Sequence, residues 1–257
     1  MEAWKTRVYA TYVETAPHET PEHRHDHLAR DRAEYVRRFR RFLPRDTSAP
    51  ILDVGCGTGT FLDALRSLGY SHAEGVDVSA TQIDVARGRG LTRVTHGSAL
   101  DYLRYRPQQY AMIAALSVLE HQTRPELFDL LDAIRDALEP GGRLVAVVPN
   151  AKALFGAHLR FADITHELSF SPLSVAQICA VTGFEPPEIC EHGPVVHGAA
   201  SAIRWTVWQG VRLGLWIARI AEGGDWRSPI FTQDLLFVAR KRAERDASAD
   251  DLMQSAP

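Results

Sequence analysis

Residues 51 to 59 read Ile-Leu-Asp-Val-Gly-Cys-Gly-Thr-Gly, an apolar run that meets a carboxylate and then opens into glycines at alternate positions, Gly55, Gly57 and Gly59. Glycine is needed where backbone turns with positive φ or approaches a ligand without a Cβ. The apolar residues Phe61, Leu62, Leu65 and Leu68 that follow have helical spacing. Strand, glycine loop and helix therefore succeed one another, the unit from which parallel sheets with covering helices are built.

A dinucleotide fingerprint spaces its glycines G-x-G-x-x-G so that a pyrophosphate sits on the helix N-terminus. Here the third glycine comes one residue early. Asp53 lies two residues before the first glycine, where it repels phosphate and attracts a cationic amino acid moiety. Asp77 ends a second apolar stretch, Gly75-Val76-Asp77-Val78, placed to accept hydrogen bonds from ribose hydroxyls. Two carboxylates around such a loop point to S-adenosylmethionine as the cofactor.

The alternation continues with strands expected at 51–55, 74–78, 92–96, 110–116 and 143–148 and helices at 59–68 and 80–87. Leu127, Leu130, Leu131, Ile134 and Leu138 place a further helix that stops at Pro140-Gly141-Gly142. Ligands of such folds lie beyond the carboxyl ends of the strands. After Asn150 the periodicity is lost, and residues 151–170 read as a lid over that edge. A helix near 172–182 and strands at 187–191 and 234–240 complete the pattern.

From Leu28 to Leu43 an amphipathic helix is expected, with Tyr35, Val36, Phe39 and Phe42 on one face and six arginines around it. Residues 1 to about 27 read as a polar loop whose histidines His18, His23, His25 and His27 are solvated. Between Ala202 and Ala221, three tryptophans and many aliphatics are interrupted by Arg204, Arg212 and Arg219 on one stripe. So apolar a helix is expected to bury, first in a dimer or core contact and alternatively in lid packing or at a membrane interface.

Composition bounds the partners. At 257 residues and net charge −3 with both signs dispersed, one catalytic domain is expected and nucleic acid is excluded as a partner. The three cysteines, Cys56, Cys179 and Cys190, form neither a disulfide framework nor a zinc cluster, which fits a reducing compartment. With no signal peptide and no apolar run of about 18 residues, the expected location is cytoplasmic, with the inner face of the membrane as an alternative.

From about Pro50 to Asn150 the chain resembles the class I S-adenosylmethionine-dependent methyltransferases. The resemblance is carried by the glycine loop, Gly75-Val-Asp-Val-Ser79, Leu116-Ser-Val-Leu-Glu-His121 and Leu138-Glu-Pro-Gly-Gly-Arg-Leu-Val145, in the family's order. It implies a Rossmann-like, doubly wound, seven-stranded and mostly parallel sheet. Residues 1–49 form an N-terminal extension, 50–240 the catalytic domain with lid 151–170 and a helical insertion 199–222, and 241–257 a disordered tail. The cofactor pocket it implies is formed by Asp53, Gly55, Gly57, Thr58, Gly59, Asp77, Val78, Gln82, Ser98, Ala99, Leu116 and Ser117, with Tyr9 and Tyr12 over it. The chain departs from the pattern at Gly97-Ser98-Ala99-Leu100-Asp101, where Ser98 or Asp101 replaces the acidic residue that usually meets the adenine.

Methyl transfer needs a positioned nucleophile and a proton acceptor. His166 in the lid and His121 after the fourth strand are the candidate bases, since an unperturbed histidine titrates near 6.5. Asp163, His166 and Glu167 would share a helical face and could hold a divalent ion, but no metal is assigned. Phe161-Ala-Asp-Ile-Thr-His-Glu-Leu-Ser-Phe170 resembles methyltransferases of bacterial surface glycans. That resemblance implies O-methylation of a sugar hydroxyl on a glycan or activated sugar. A quinone precursor or other aromatic small molecule is the alternative acceptor, and a noncatalytic partner in a glycan-assembly complex the alternative role. Peripheral membrane contact and a homodimer complete the expected associations.

Overall fold

A computed structural model describes residues 3–12, 28–223 and 230–242. Helices α1 (Ala3–Ala10) and α2 (Leu28–Phe39) precede strand β1 (Ile51–Val54). The alternation then runs α3 (Thr60–Ser67), β2 (Ala73–Asp77), α4 (Ala80–Gly88), β3 (Val94–His96), α5 (Ala99–Leu103) and β4 (Tyr110–Leu116). It closes with α6 (Arg124–Ala137), β5 (Leu138–Pro149), α7 (Gly156–Ala162), α8 (Pro172–Val181), β6 (Glu188–Glu191), α9 (Ala199–Ala221) and β7 (Asp234–Arg240).

The seven strands form one sheet in the order β3-β2-β1-β4-β5-β7-β6. The pairs among β1 to β5 are parallel, whereas β7 runs antiparallel to both β5 and β6. Side chains alternate faces along each strand. Ile51, Met112, Ala114 and Val145 therefore pack with Phe39, Phe61 and Ile83 on one side. Leu52, Ile113, Leu144 and Ala146 pack with Leu131, Ile134 and Val175 on the other. Both faces are covered, which is why these strands read as nearly continuous apolar runs.

The order reverses at β1, between β2 and β4, and the carboxyl ends of those strands open a crevice there.

Three expectations change. Helix α6 ends at Ala137, because Leu138 pairs with Tyr110 and residues 139–142 form an irregular excursion before Arg143 pairs with Met112. The amino terminus is helical at Ala3–Ala10 instead of a polar loop throughout, while His18, His23, His25 and His27 lie outside the described residues. Helix α9 does not enter the core, since only Ser201 of its 23 residues is buried.

Candidate functional site

The loop after β1 is shaped by its glycines, with φ of +66°, +54° and +82° at Gly55, Gly57 and Gly59. A Cβ at Gly57 would sit 2.6 Å from the Gln82 side-chain oxygen. At Gly59 it would sit 2.2 Å from Leu91 Cδ1, so this glycine admits the loop to α3 and lets α3 close on its neighbour. Gly59→Ala is expected to cost about 1–3 kcal/mol, from the left-handed backbone and the clash together. Thermal unfolding followed by circular dichroism should show a drop of several degrees.

Asp77, at the end of β2, turns toward the loop. Its Oδ2 accepts the Gly57 N–H at 2.9 Å and its Oδ1 the Ser79 N–H at 2.8 Å. Burial raises its carboxyl, against the pull of those two donors. Asp53 is 2% exposed, and burial followed by the charge of Asp77 pushes its carboxyl well above the ordinary range. Among the described residues no cation pairs with either. Two buried carboxyl groups thus face a cavity that a cationic ligand would neutralise.

That cavity measures about 650 Å³ and runs along the carboxyl ends of β1, β2 and β4. Its wall contains Asp53, Gly55, Gly57, Thr58, Asp77, Val78, Gln82, Ser98, Ala99, Leu116, Ser117 and His121. Tyr9 and Tyr12 cover it from α1 and the residues that follow, with Tyr35 and Phe61 on the same wall. Gly59 does not reach the wall. Ser117 holds φ at +58°, an uncommon conformation for a residue with a Cβ, and its N–H is fixed by the Val147 carbonyl at 3.0 Å. Ser98 and Asp101 both line the third-strand end, where Ser98 Oγ caps α5 by accepting the Asp101 N–H.

His121 is fixed by a chain of bonds. Asp163 accepts Thr165 Oγ1–H at 2.6 Å and the Tyr12 hydroxyl at 2.6 Å. Burial opposes the charged form of Asp163, but these donors outweigh it and hold the carboxyl below its usual value. The single Thr165 hydroxyl proton is therefore spent on Asp163, and His121 Nδ1, 2.7 Å from Thr165 Oγ1, must be the donor of that pair. The lone pair of His121 is left on Nε2. Burial, followed by the neighbouring His166, pushes the His121 imidazole down to about 4.

His166 lies behind His121 and outside the cavity wall. Its ring meets that of His121 edge to face with centroids 4.7 Å apart, and its Nδ1 donates to the Leu159 carbonyl at 2.8 Å. Asp163, His166 and Glu167 are not gathered as a ligand set, because Asp163 serves Thr165 and Tyr12 while Glu167 pairs with Lys5 at 3.4 Å. Glu120, His121 and His166 instead bring one potential ligand atom each within 4.8 Å. Burial pushes the Glu120 carboxyl up to about 8, and its Oε2 has no hydrogen-bond partner among the described residues. The Glu120 carbonyl accepts two N–H groups from the segment after α7, Glu167 at 2.7 Å and Leu168 at 3.0 Å, which bonds the Leu-Glu-His turn directly to that segment.

Lys5 and Thr165 were not singled out in the sequence. Lys5 is 3% exposed and its Nζ donates to the His121 carbonyl at 2.8 Å, joining α1 to the site across 116 positions of sequence. Nothing in the local pattern of either residue marks these partners.

A family profile described as a methyltransferase domain matches residues 27–189. The ubiquinone biosynthesis O-methyltransferase of Xylella fastidiosa (strain 9a5c) is 35% identical over 118 residues, 42% of this chain and 46% of that protein. Its mitochondrial counterpart in Schizosaccharomyces pombe is 31% identical over 101 residues, 37% of this chain and 36% of that protein. The match therefore spans less than half the length of these curated relatives. A crystal structure of a methyltransferase dependent on S-adenosylmethionine from Archaeoglobus fulgidus has a TM-score of 0.61 at 23% identity, covering 82% of this chain and 94% of that one. Phosphoethanolamine N-methyltransferase 2 of Haemonchus contortus, solved with S-adenosyl-L-methionine, gives 0.59 at 19% identity, covering 91% and 56%. These likenesses extend the seven-stranded architecture to most of the chain. The chain belongs to the methyltransferase-domain family and has the class I fold of the S-adenosylmethionine-dependent enzymes.

Proposed function

We propose that this chain transfers the methyl group of S-adenosylmethionine to a hydroxyl on an aromatic ring, of the kind found in quinone precursors. The observation that carries this reading is His121, which lines the cavity with its Nδ1 tied to Thr165, and burial makes its imidazole a weak base. So weak a base serves a phenol, which ionises near 10, far better than an aliphatic sugar hydroxyl. Tyr9, Tyr12, Tyr35 and Phe61 offer aromatic faces to a planar ring. The names of the curated relatives point the same way.

The residues fit the cofactor. A volume of about 650 Å³ lies within the range of about 300–1,000 Å³ typical of small-molecule sites. Asp77 has lone pairs to spare for ribose hydroxyls, and Asp53 lies where an ammonium group would restore the charge balance. When bound, the cofactor supplies a methyl group on a positively charged sulfur. His121 Nε2 would accept the proton of the acceptor hydroxyl as that oxygen takes the methyl group, with the cofactor's neutral thioether as the leaving group. Thr165 and Asp163 would hold the imidazole in orientation, and Tyr9 and Tyr12 on the cavity wall would exclude water.

Sugar hydroxyls are the competing class, because the lid sequence resembles that of glycan methyltransferases. Methyl transfer from labelled S-adenosylmethionine to hydroxybenzoates and hydroxyquinones, beside monosaccharides and nucleotide sugars, separates the two. Ring methoxy products are expected, with and without EDTA. Turnover of sugars alone would overturn the proposal, and cofactor binding without transfer to any acceptor would favour the noncatalytic role.

A further inference from the structure

Helix α9 is turned the wrong way round for a helix at the surface of a globular domain. At about 3.6 residues per turn, Arg204, Arg212 and Arg219 share a stripe with Ser201 and Trp208. That stripe faces the body, for Ser201 is 3% exposed and Arg212 pairs with Glu191 at 3.1 Å. The opposite side carries Ile203, Val207, Leu213, Ile217 and Ile220, from 40 to 66% exposed and without a charge among them. A Cβ added at Gly210 or Gly214 on that side would meet nothing within 4 Å. An ordinary amphipathic helix points its apolar face at the core. Here it points away.

Both ends of the excursion are tied to the edge where the cavity opens. On the way in, the His192 N–H bonds Thr232 Oγ1 at 3.3 Å. On the way back, Asn150 at the base of the lid donates to the carbonyls of Ile230 and Thr232 at 3.0 and 2.8 Å. The lid that rises from Asn150 also exposes apolar groups, with Phe155 60%, Phe161 77% and Ile164 77% exposed. At the amino end of α9, Arg30, Arg37, Arg38, His197 and Arg204 line a cleft whose carboxylate, Glu34, is taken up by Arg38 at 2.5 Å. Neither Arg37 nor Arg204 has a salt bridge among the described residues.

We infer that the outer face of α9 lies flat on an anionic phospholipid surface, with the basic cleft meeting lipid phosphates and the cavity edge turned toward the bilayer. Charge and area select this occupant. A cleft with a cationic excess beside an uncharged apolar face is what an interfacial helix presents to acidic headgroups. A second copy of the chain is a poor fit. The 23 residues of α9 span about 35 Å, and a strip about 10 Å wide offers about 350 Å². A stable interface needs about 800 Å² per partner. Among the described residues no helix is long and apolar enough to cross a membrane, so the helix lies on the surface. The inference does not depend on which hydroxyl is methylated.

The test is flotation of the full chain with phosphatidylcholine vesicles and with vesicles containing phosphatidylglycerol. Binding to the anionic vesicles is expected, and weaker binding as salt is raised. Val207→Asp with Ile217→Asp should reduce the bound fraction about tenfold or more, and Arg37→Glu with Arg204→Glu should remove the preference for anionic lipid. Titration with S-adenosylmethionine confirms that each variant is folded. Absence of vesicle binding by wild type that binds cofactor would overturn the inference. So would light scattering that shows a dimer dissolved by Val207→Asp with Ile217→Asp, because the face would then belong to a second copy.

Discussion

His121→Gln is expected to lower kcat by about 10² to 10⁴, the usual contribution of a positioned base, while leaving cofactor affinity nearly unchanged. Glutamine approximates the shape of imidazole but cannot take a proton, so the loss should appear in turnover rather than in binding. The pH dependence gives an independent readout. Because burial holds His121 near 4, the imidazole is unprotonated and competent across the neutral range, and turnover should fall only as pH drops through about 4. A free histidine would produce its acid limb near 6.5. The same shift has a stability sign. The unfolded chain takes up a proton near 6.5 and the folded chain does not until about 4, so stability is lost as pH falls through that window.

Thr165→Val refines the assignment. It removes the hydroxyl that receives the His121 Nδ1 proton and leaves Asp163 with the Tyr12 hydroxyl and the backbone N–H of residue 165. One lost hydrogen bond of this kind is worth about 1–1.5 kcal/mol, a decrease of about tenfold in kcat. A positioning role also predicts that the acid limb moves, since the neighbour that fixes the tautomer has gone. A wild-type rate and pH profile in folded His121→Gln would eliminate this histidine as the base and leave His166, or the cofactor's own electrostatics, to account for the chemistry.

Asp77→Ala should weaken S-adenosylmethionine binding by about 10² or more. A carboxylate bonding ribose hydroxyls contributes about 1.5–3 kcal/mol per charge-assisted bond. Asp77 also receives the N–H groups of Gly57 and Ser79, so its removal leaves two donors without their acceptor and loosens the glycine loop itself. Calorimetric titration should therefore be read together with a melting curve. Asp77→Asn separates the effects, for it keeps an acceptor for one N–H while losing the charge. If Asp77→Ala melts like wild type and still binds the cofactor as tightly, the cavity has been assigned to the wrong ligand.

The parts of this protein legible in its sequence are those set by short-range physics. Apolar runs of period 2 or about 3.6 placed most strands and helices, because side chains alternate along a strand and recur along one helical face. The positions of Gly55 and Gly57 and the carboxylate Asp77 marked the ligand loop, since only glycine takes those backbone angles without strain. Errors fell where a distant partner overrode the local signal. Proline and glycine at 140–142 suggested the end of a helix, but pairing of Leu138 with Tyr110 had already ended it. The third glycine, Gly59, does not line the cavity, and a Cβ there would meet Leu91, a packing constraint that no local pattern announces.

The sequence by itself determined the class of fold, the crevice at the carboxyl ends of β1 and β2, and the acidic character of that crevice. Tertiary structure alone decided which histidine faces the cavity. Lys5, His121, Thr165 and Asp163 converge from α1, the turn after β4 and the lid, and no local pattern encodes a meeting across more than 100 residues. It also decided the direction of α9. The sequence could state that the helix has an apolar side, but which side turns outward depends on the anchors at Glu191, Thr232 and Asn150, which exist only once the sheet has assembled.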